Sequence, residues 1–283
     1  MMQTVVNGVS MASLYILMAI GLTYVFSIMR IINFAHGEIL MVGAYISLFS
    51  NELLGVNLFI AMLISMASVG FFGIVLERIL FRPRKGEDLN LLVLSLGLAI
   101  TIQNLALVIF GPEDRGYRAV LPGVLGFQSI FISKMRLVAF LVALLCIVGS
   151  HIFLTRTKAG IAMQAVSQDP EGAALQGISL SRFHALAFGI GCCLAAASGT
   201  LLGTIYGVSP FMGAAPVMKA FIIIILGGLG SMMGCMMGGF ILGIVESFVA
   251  TYFGATIQEI SAFLILLLVL ILKPEGLFGF REE

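Results

Sequence analysis

Twenty-six consecutive residues, Ala220 to Val245, carry no charge, and three other runs resemble this one. Val5–Met29 is uncharged for 25 residues, Leu58–Leu76 for 19 and Ala185–Met218 for 34. A helix needs roughly 20 predominantly apolar residues to cross the hydrocarbon core of a bilayer. No water reaches that core, so a run of this kind satisfies its backbone there by closing it into a helix. The rest of the chain agrees: 15 basic and 14 acidic residues stand among 283, and the mean hydropathy is +1.13. Those values exclude a soluble globular protein. The longest polar connection, 155–184, is too short to hold a core of its own, so residues 1–283 are expected to form one transmembrane domain.

The apolar segments predict an all-α, polytopic membrane bundle of about eight or nine spans. They lie near 5–28, 39–54, 57–80, 90–110, 136–154, 184–206, 217–233, 236–253 and 258–272. The second, seventh and ninth are short enough to be half-helices or tilted pieces. Nine spans place Arg30, Arg78, Arg82, Arg84, Lys85, Arg156, Lys158, Arg182, Lys273 and Arg281 on one side. Arg115, Arg118, Lys134, Arg136 and Lys219 fall on the other. The richer side marks the cytoplasm, which puts the N-terminus outside and the C-terminus inside. No Lys or Arg precedes Arg30, so the first segment lacks the basic start of a cleaved signal peptide and is expected to stay in the mature protein. Both halves hold a small-residue-rich segment followed by an apolar span, too weak an echo to assert a repeat.

Several function classes are disfavoured early. A net charge of +1 gives no electrostatic case for nucleic acid. Cys146, Cys192, Cys193 and Cys235 lie inside apolar segments and read as packing residues. His36, His151 and His184 are dispersed, no H-E-x-x-H helix is present, and no metal site or membrane enzyme is expected. A stand-alone secondary transporter would need intramembrane acids for its coupling ion, and these are scarce.

The connection 155–184 contains the stretch DPEGAALQG, which has the grammar of a short helix. Asp169 can cap its first N–H groups, and Pro170 suits the first helical position. Glu171 sits at the positive end of the helix dipole, and Gly177 can take the left-handed conformation that ends a helix. Ala173, Ala174 and Leu175 keep part of its surface small and apolar. Such a helix is either a plain linker or a rigid docking element.

Glu171 to Gly177 resembles the "EAA…G" loop of permease subunits in binding-protein-dependent ABC importers, with Gly172 where those proteins usually carry Ala. Taken with GLTYVFSIMRIINFAHGEILMVGAY, GGLGSMMGCMMGGFILGIVES and LKPEGLFG, the chain from Gly21 to Gly279 resembles branched-chain amino-acid permeases of the LivH type. That group has close relatives for urea and short amides. The resemblance implies an inner-membrane component of a bacterial importer for leucine, isoleucine and valine. A periplasmic substrate-binding protein would deliver the substrate and a second homologous permease would complete the pathway. Two cytoplasmic ATP-binding subunits would hold ATP and Mg. No cofactor is expected in this chain, which has no G-x-x-x-x-G-K-[ST] phosphate loop. Residues 169–177 would then be the ATPase-coupling helix.

Other polar residues stand out against the apolar background. Asn33, His36, Gly37 and Glu38 are expected to form a packed polar turn near the inner mouth, with a gate or pathway lining as the alternative. If that stretch is helical, Asn33, His36 and Gly37 share a face. Glu246 is the clearest intramembrane charge and should find a partner, a backbone donor or an Arg, or else contact the pathway or the second permease. Gln103 and Asn104 suit interhelical hydrogen bonds. The glycines of GGLGSMMGCMMGGFILG suggest a packing surface around a break at Gly227, Gly228 and Gly230. Glu113, Asp114, Arg115 and Arg118 share an extracytoplasmic loop, either simply solvated or available to dock the binding protein through salt-sensitive contacts.

Overall fold

The computed structural model describes residues 1–84, 88–117, 123–127, 130–273 and 275–278. Its elements begin with α1 (Met2–Met29), α2 (His36–Leu54), α3 (Leu58–Leu76) and α4 (Asp88–Phe110). A hairpin of β1 (Val124–Phe127) and β2 (Ile130–Ser133) follows, then α5 (Lys134–Arg156), α6 (Lys158–Gln168) and α7 (Pro170–Leu175). The chain closes with α8 (Leu180–Tyr206), α9 (Ala214–Gly227), α10 (Met232–Phe253) and α11 (Ala255–Leu272). Each expected apolar segment coincides with a helix. Among the described residues seven helices are long and apolar enough to cross a membrane: α1, α3 with its extension to Arg84, α4, α5, α8, α10 and α11. The expected short ninth span is therefore a full-length one. The second and seventh are the shorter or less apolar pieces, α2 and α9.

Burial sorts the helices into a centre and a jacket. In α1 and α8, 83 % of the spanning window is buried, against 17 % in α4 and 6 % in α11. Water exclusion cannot drive helix association inside lipid, so close packing of small residues must do it. The sequence supplies them. Gly43 of α2 backs onto Ala196 of α8, where an added Cβ would lie 2.5 Å from the alanine Cα. The glycines of α10 serve two faces. Gly234 and Gly238 receive α9, whereas Gly239 and Gly243 receive Ile16 and Ala12 of α1.

Two features depart from expectation. The hairpin, paired from Val124↔Ser133 to Phe127↔Ile130, is the only strand structure among the described residues. Gln3 ties it to α1: its Nε2 donates to the Phe131 carbonyl at 2.9 Å, and its Oε1 accepts from the Phe131 N–H at 2.8 Å. The connection 155–184 also holds more order than one short helix. Thr157 caps α6 by accepting from the Gly160 N–H at 3.0 Å, and α6 buries Met163 and Val166.

The end of α3 is pinned as well. It widens into a π-helical turn, Glu77–Phe81, and a tighter one, Arg82–Arg84. Buried Glu77 pairs with Arg82 at 3.3 Å, and Arg82 also donates to the Ser181 carbonyl at 2.7 Å, joining α3 to the start of α8.

Candidate functional site

The polar motif after α1 lies deeper than a turn at the mouth of the bundle. Asn33 and His36 are fully buried and Glu38 nearly so. The His36 ring lies against Gly21, where a Cβ would approach its Nε2 to 3.2 Å. Gly21 is eight residues before the end of α1, about 12 Å along the axis at 1.5 Å per residue. The chain therefore folds back into the bundle before α2 starts. The helix begins only at His36, so Asn33 does not share its face. Instead the Asn33 Oδ1 accepts from the Ala35 N–H at 3.1 Å, and the Asn33 carbonyl accepts from the His36 N–H at 3.3 Å. The Asn33 Nδ2 and Glu38 Oε2 meet no partner among the described residues.

A second re-entering segment meets the first. After α8, Gly207 (φ 90°) turns the chain, and Val208 and Arg115 exchange backbone hydrogen bonds of 2.8 and 2.7 Å. The chain then dips back so that Gly213, just before α9, packs on Gly37 at the start of α2. A Cβ on Gly37 would collide with the Gly213 carbonyl oxygen, and one on Gly213 with Gly37. Two helix starts thus abut inside the bundle, at a place open only to glycine.

Glu246 finds its partner from an unexpected quarter. Lys219, which the charge count assigned to the outer side, lies on α9 and binds the Glu246 Oε2 at 2.7 Å. The Tyr15 hydroxyl donates to the same oxygen at 2.8 Å and the Gln258 Nε2 at 3.0 Å. Lys219 also donates to the Tyr15 hydroxyl at 2.7 Å. The carboxylate is neither free nor bound to Arg: it joins α1, α9, α10 and α11. The sequence did hold a signal, because a lone acid in an apolar run needs a cation and Lys219 borders that run.

The expected break follows α9. Gly228 and Gly230 take φ values of 103° and 84°, a region that L side chains avoid. Helix ends leave carbonyls unpaired, and here the C-terminal segment supplies donors. The Leu277 N–H donates to the Leu226 carbonyl and the Phe278 N–H to the Gly227 carbonyl, both at 2.9 Å. Gly276 packs on Gly228, with room for no Cβ. Two separate sequence motifs, GGLG and KPEGLF, therefore form one joint.

At the α8 N-terminal end stands α7. The Asp169 Oδ1 accepts from the Gly172 N–H at 2.9 Å, Pro170 opens the helix and Gly177 closes it at φ 79°. The Ile178 N–H reaches back to the Ala173 carbonyl at 3.1 Å. A Cβ on Gly172 would meet the capping Asp169 carboxylate, the free end of a flexible side chain. Ala173 is buried, Glu171 and Ala174 are exposed, and Leu175 is 87 % exposed. Ser27 of α1 hydrogen-bonds Ser167 of α6 at 2.8 Å, linking this region to the central helix.

At the opposite end of α8, Glu113 and Asp114 are exposed, while Arg115 is half-buried. Its Nη2 donates to the Phe110 carbonyl at 2.9 Å, and its guanidinium lies 5.6 Å from the Phe49 ring centroid. Arg118 lies outside the described residues. Nearby, Tyr117 donates to the Ala44 carbonyl at 3.0 Å and shares a hydrogen bond with Ser47. Asn104 bonds the Ile100 carbonyl of its own helix rather than a neighbouring one.

Comparison with known proteins agrees with this architecture. Residues 4–272 match the family described as branched-chain amino acid transport system / permease component. The chain is 37 % identical to the high-affinity branched-chain amino acid transport system permease protein BraD of Pseudomonas aeruginosa, over 99 % of this chain and 96 % of that one. It is 36 % identical to the permease protein LivH of the same kind of system in Escherichia coli, with the same coverage. A probable branched-chain amino acid transport permease of Methanocaldococcus jannaschii is 24 % identical over 95 % of this chain and 89 % of its own length. No solved structure matches. A family match spanning nearly the whole of this multi-helix membrane protein makes the chain a member of the branched-chain amino acid permease family.

Proposed function

We propose that this chain is the translocating subunit of an importer that carries leucine, isoleucine and valine across a bacterial inner membrane. A periplasmic binding protein delivers the substrate, a second homologous permease completes the path, and two cytoplasmic ATPases supply energy. ATP and Mg belong to those ATPases, so this chain is not itself an enzyme. The N-terminus lies outside and the C-terminus in the cytoplasm, as the loop charges favour.

The observation that carries the reading is α7. Both its ends are fixed by local hydrogen bonds, Ala173 anchors it, and Leu175 stands out into solvent. A rigid helix with an exposed apolar tip can transmit a partner's rigid-body movement into α8. ATP can shift the permease only by binding its two states unequally, and α7 is the contact through which that difference reaches the spans. Asn33, His36, Gly37 and Glu38, with Glu246 and the glycines at 227, 228 and 230, lie where segments abut and are positioned to act as the gate. Glu113, Asp114, Arg115 and Arg118 serve the binding protein.

Two substitutions test the coupling. Gly177→Val forces a branched side chain into a left-handed position, and Leu175→Asp charges the tip without touching the core. Both are expected to lower leucine uptake at least tenfold in cells while the protein remains inserted at wild-type abundance. Normal uptake by both inserted variants would remove the coupling role from α7.

A further inference from the structure

The Glu246 cluster holds more donors than a structural ion pair needs. Its Oε2 accepts from Lys219, Tyr15 and Gln258, so two donors remain if Lys219 turns elsewhere. The two charged partners are also unequally placed: Glu246 is 1 % exposed, whereas the Lys219 side chain is 18 % exposed. An ammonium carries three N–H groups. Two of them serve Glu246 and Tyr15, and the third meets no acceptor among the described residues. Tyr15 stands near the midpoint of the 28-residue α1, so this cation lies at membrane depth. A cation there is costly against lipid and is held facing protein or a wet cavity. Tyr206 stands beside the cluster. Its hydroxyl donates to the Met11 Sδ at 2.9 Å, one turn along α1 from Tyr15, and the residue is 57 % exposed. Lys219 also follows closely on Gly213, where the two helix starts abut.

We infer that Lys219 is a carboxylate-binding residue of the passage, its remaining N–H receiving the α-carboxylate of the branched-chain amino acid. The inference rests on the proposed transport function and names a substrate contact for it. A hydrogen bond between an ammonium and a carboxylate is charge-assisted and stronger than a neutral one. Tyr15 and Gln258 keep Glu246 bonded while Lys219 turns toward the substrate. The exposed Tyr206 offers its ring to the α-ammonium. Half-buried Met11 and exposed Met218, the residue before Lys219, offer adaptable apolar surface to the branched side chain.

The test uses the complete transporter in proteoliposomes. An amine-acylating reagent, in excess over every amine present, is applied and modification of Lys219 is followed by peptide mass. Lys219 should react, and leucine at ten times its half-protecting level should slow the reaction roughly tenfold. Leucinamide, which lacks the carboxylate, should not slow it. Leucine uptake is then measured with the binding protein at saturation. Lys219→Met with Glu246→Gln strands no charge, and it should transport roughly tenfold more slowly than Glu246→Gln alone, the loss of one charge-assisted hydrogen bond. Wild-type transporter that moves no leucine overturns the transport function itself, and this contact with it. Wild-type transport overturns the contact alone in three cases: Lys219 is never acylated, leucine shields it no better than leucinamide, or the double variant matches Glu246→Gln. If the double variant does not assemble, the labelling of the wild type decides.

Discussion

Glu246 and Lys219 show how one pair of residues can organise four helices. A carboxylate 1 % exposed within a membrane span is tolerated only with a partner, and here three donors converge on a single oxygen. Removing one member of a buried pair is costlier than removing both, because it strands the other charge. Lys219→Met is therefore expected to destabilise the protein by about 3 kcal/mol, read as a lower melting temperature in detergent. Lys219→Met with Glu246→Gln should recover most of that loss, and a double variant as unstable as the single one would show that the pair is not a unit. That Glu246 needs a partner was legible in the sequence. The only pointer to the partner's identity was Lys219 at the border of the same uncharged run. Counting basic residues by side treats every cation as solvated, and that counted Lys219 with the outer set although the expected span 217–233 includes it. A cation neutralised by a neighbour can lie on a helix instead.

Among the helices, hydropathy located the spans, and glycine decided how they meet. Gly37 and Gly97 both lie in helices, but their surroundings differ. A Cβ on Gly37 strikes the Gly213 backbone, whereas one on Gly97 meets nothing within 4 Å. Gly37→Ala should cost roughly 1–3 kcal/mol through overpacking. Gly97→Ala should be neutral or stabilising by up to about 1 kcal/mol. Detergent melts of the two variants check this, and equal effects would show that the abutting helix starts do not constrain the fold. The short helix α7 was readable to its caps, since Asp169, Pro170 and Gly177 act through neighbouring residues. Its neighbour α6 was missed because Thr157 is a common cap signal among polar residues, and its buried side depends on contacts with α1 and α5. The hairpin at 124–133 was missed likewise: Gln3, some 128 positions away, holds it in place.

Across the bundle, motifs distant in sequence become joints. The glycine break after α9 is closed by Gly276, Leu277 and Phe278 of the C-terminal segment, and the motif at Asn33–Glu38 meets the turn before α9. Order along the chain was enough to reveal the resemblance, but which motifs touch required the fold. Both joints lie at the ends of α9, the short helix that also carries Lys219.

Whether this chain works inside an ATP-driven importer is decided by isolating it from its native membrane. The tagged protein is solubilised in mild detergent, captured and its companions identified by mass. The expected result is co-recovery of a nucleotide-binding ATPase and a second permease. The Leu175→Asp and Gly177→Val variants should lose the ATPase and keep the second permease. Recovery of the chain alone, under conditions that keep a known importer of this kind intact, would contradict the importer assignment and return α7 to the role of a simple linker.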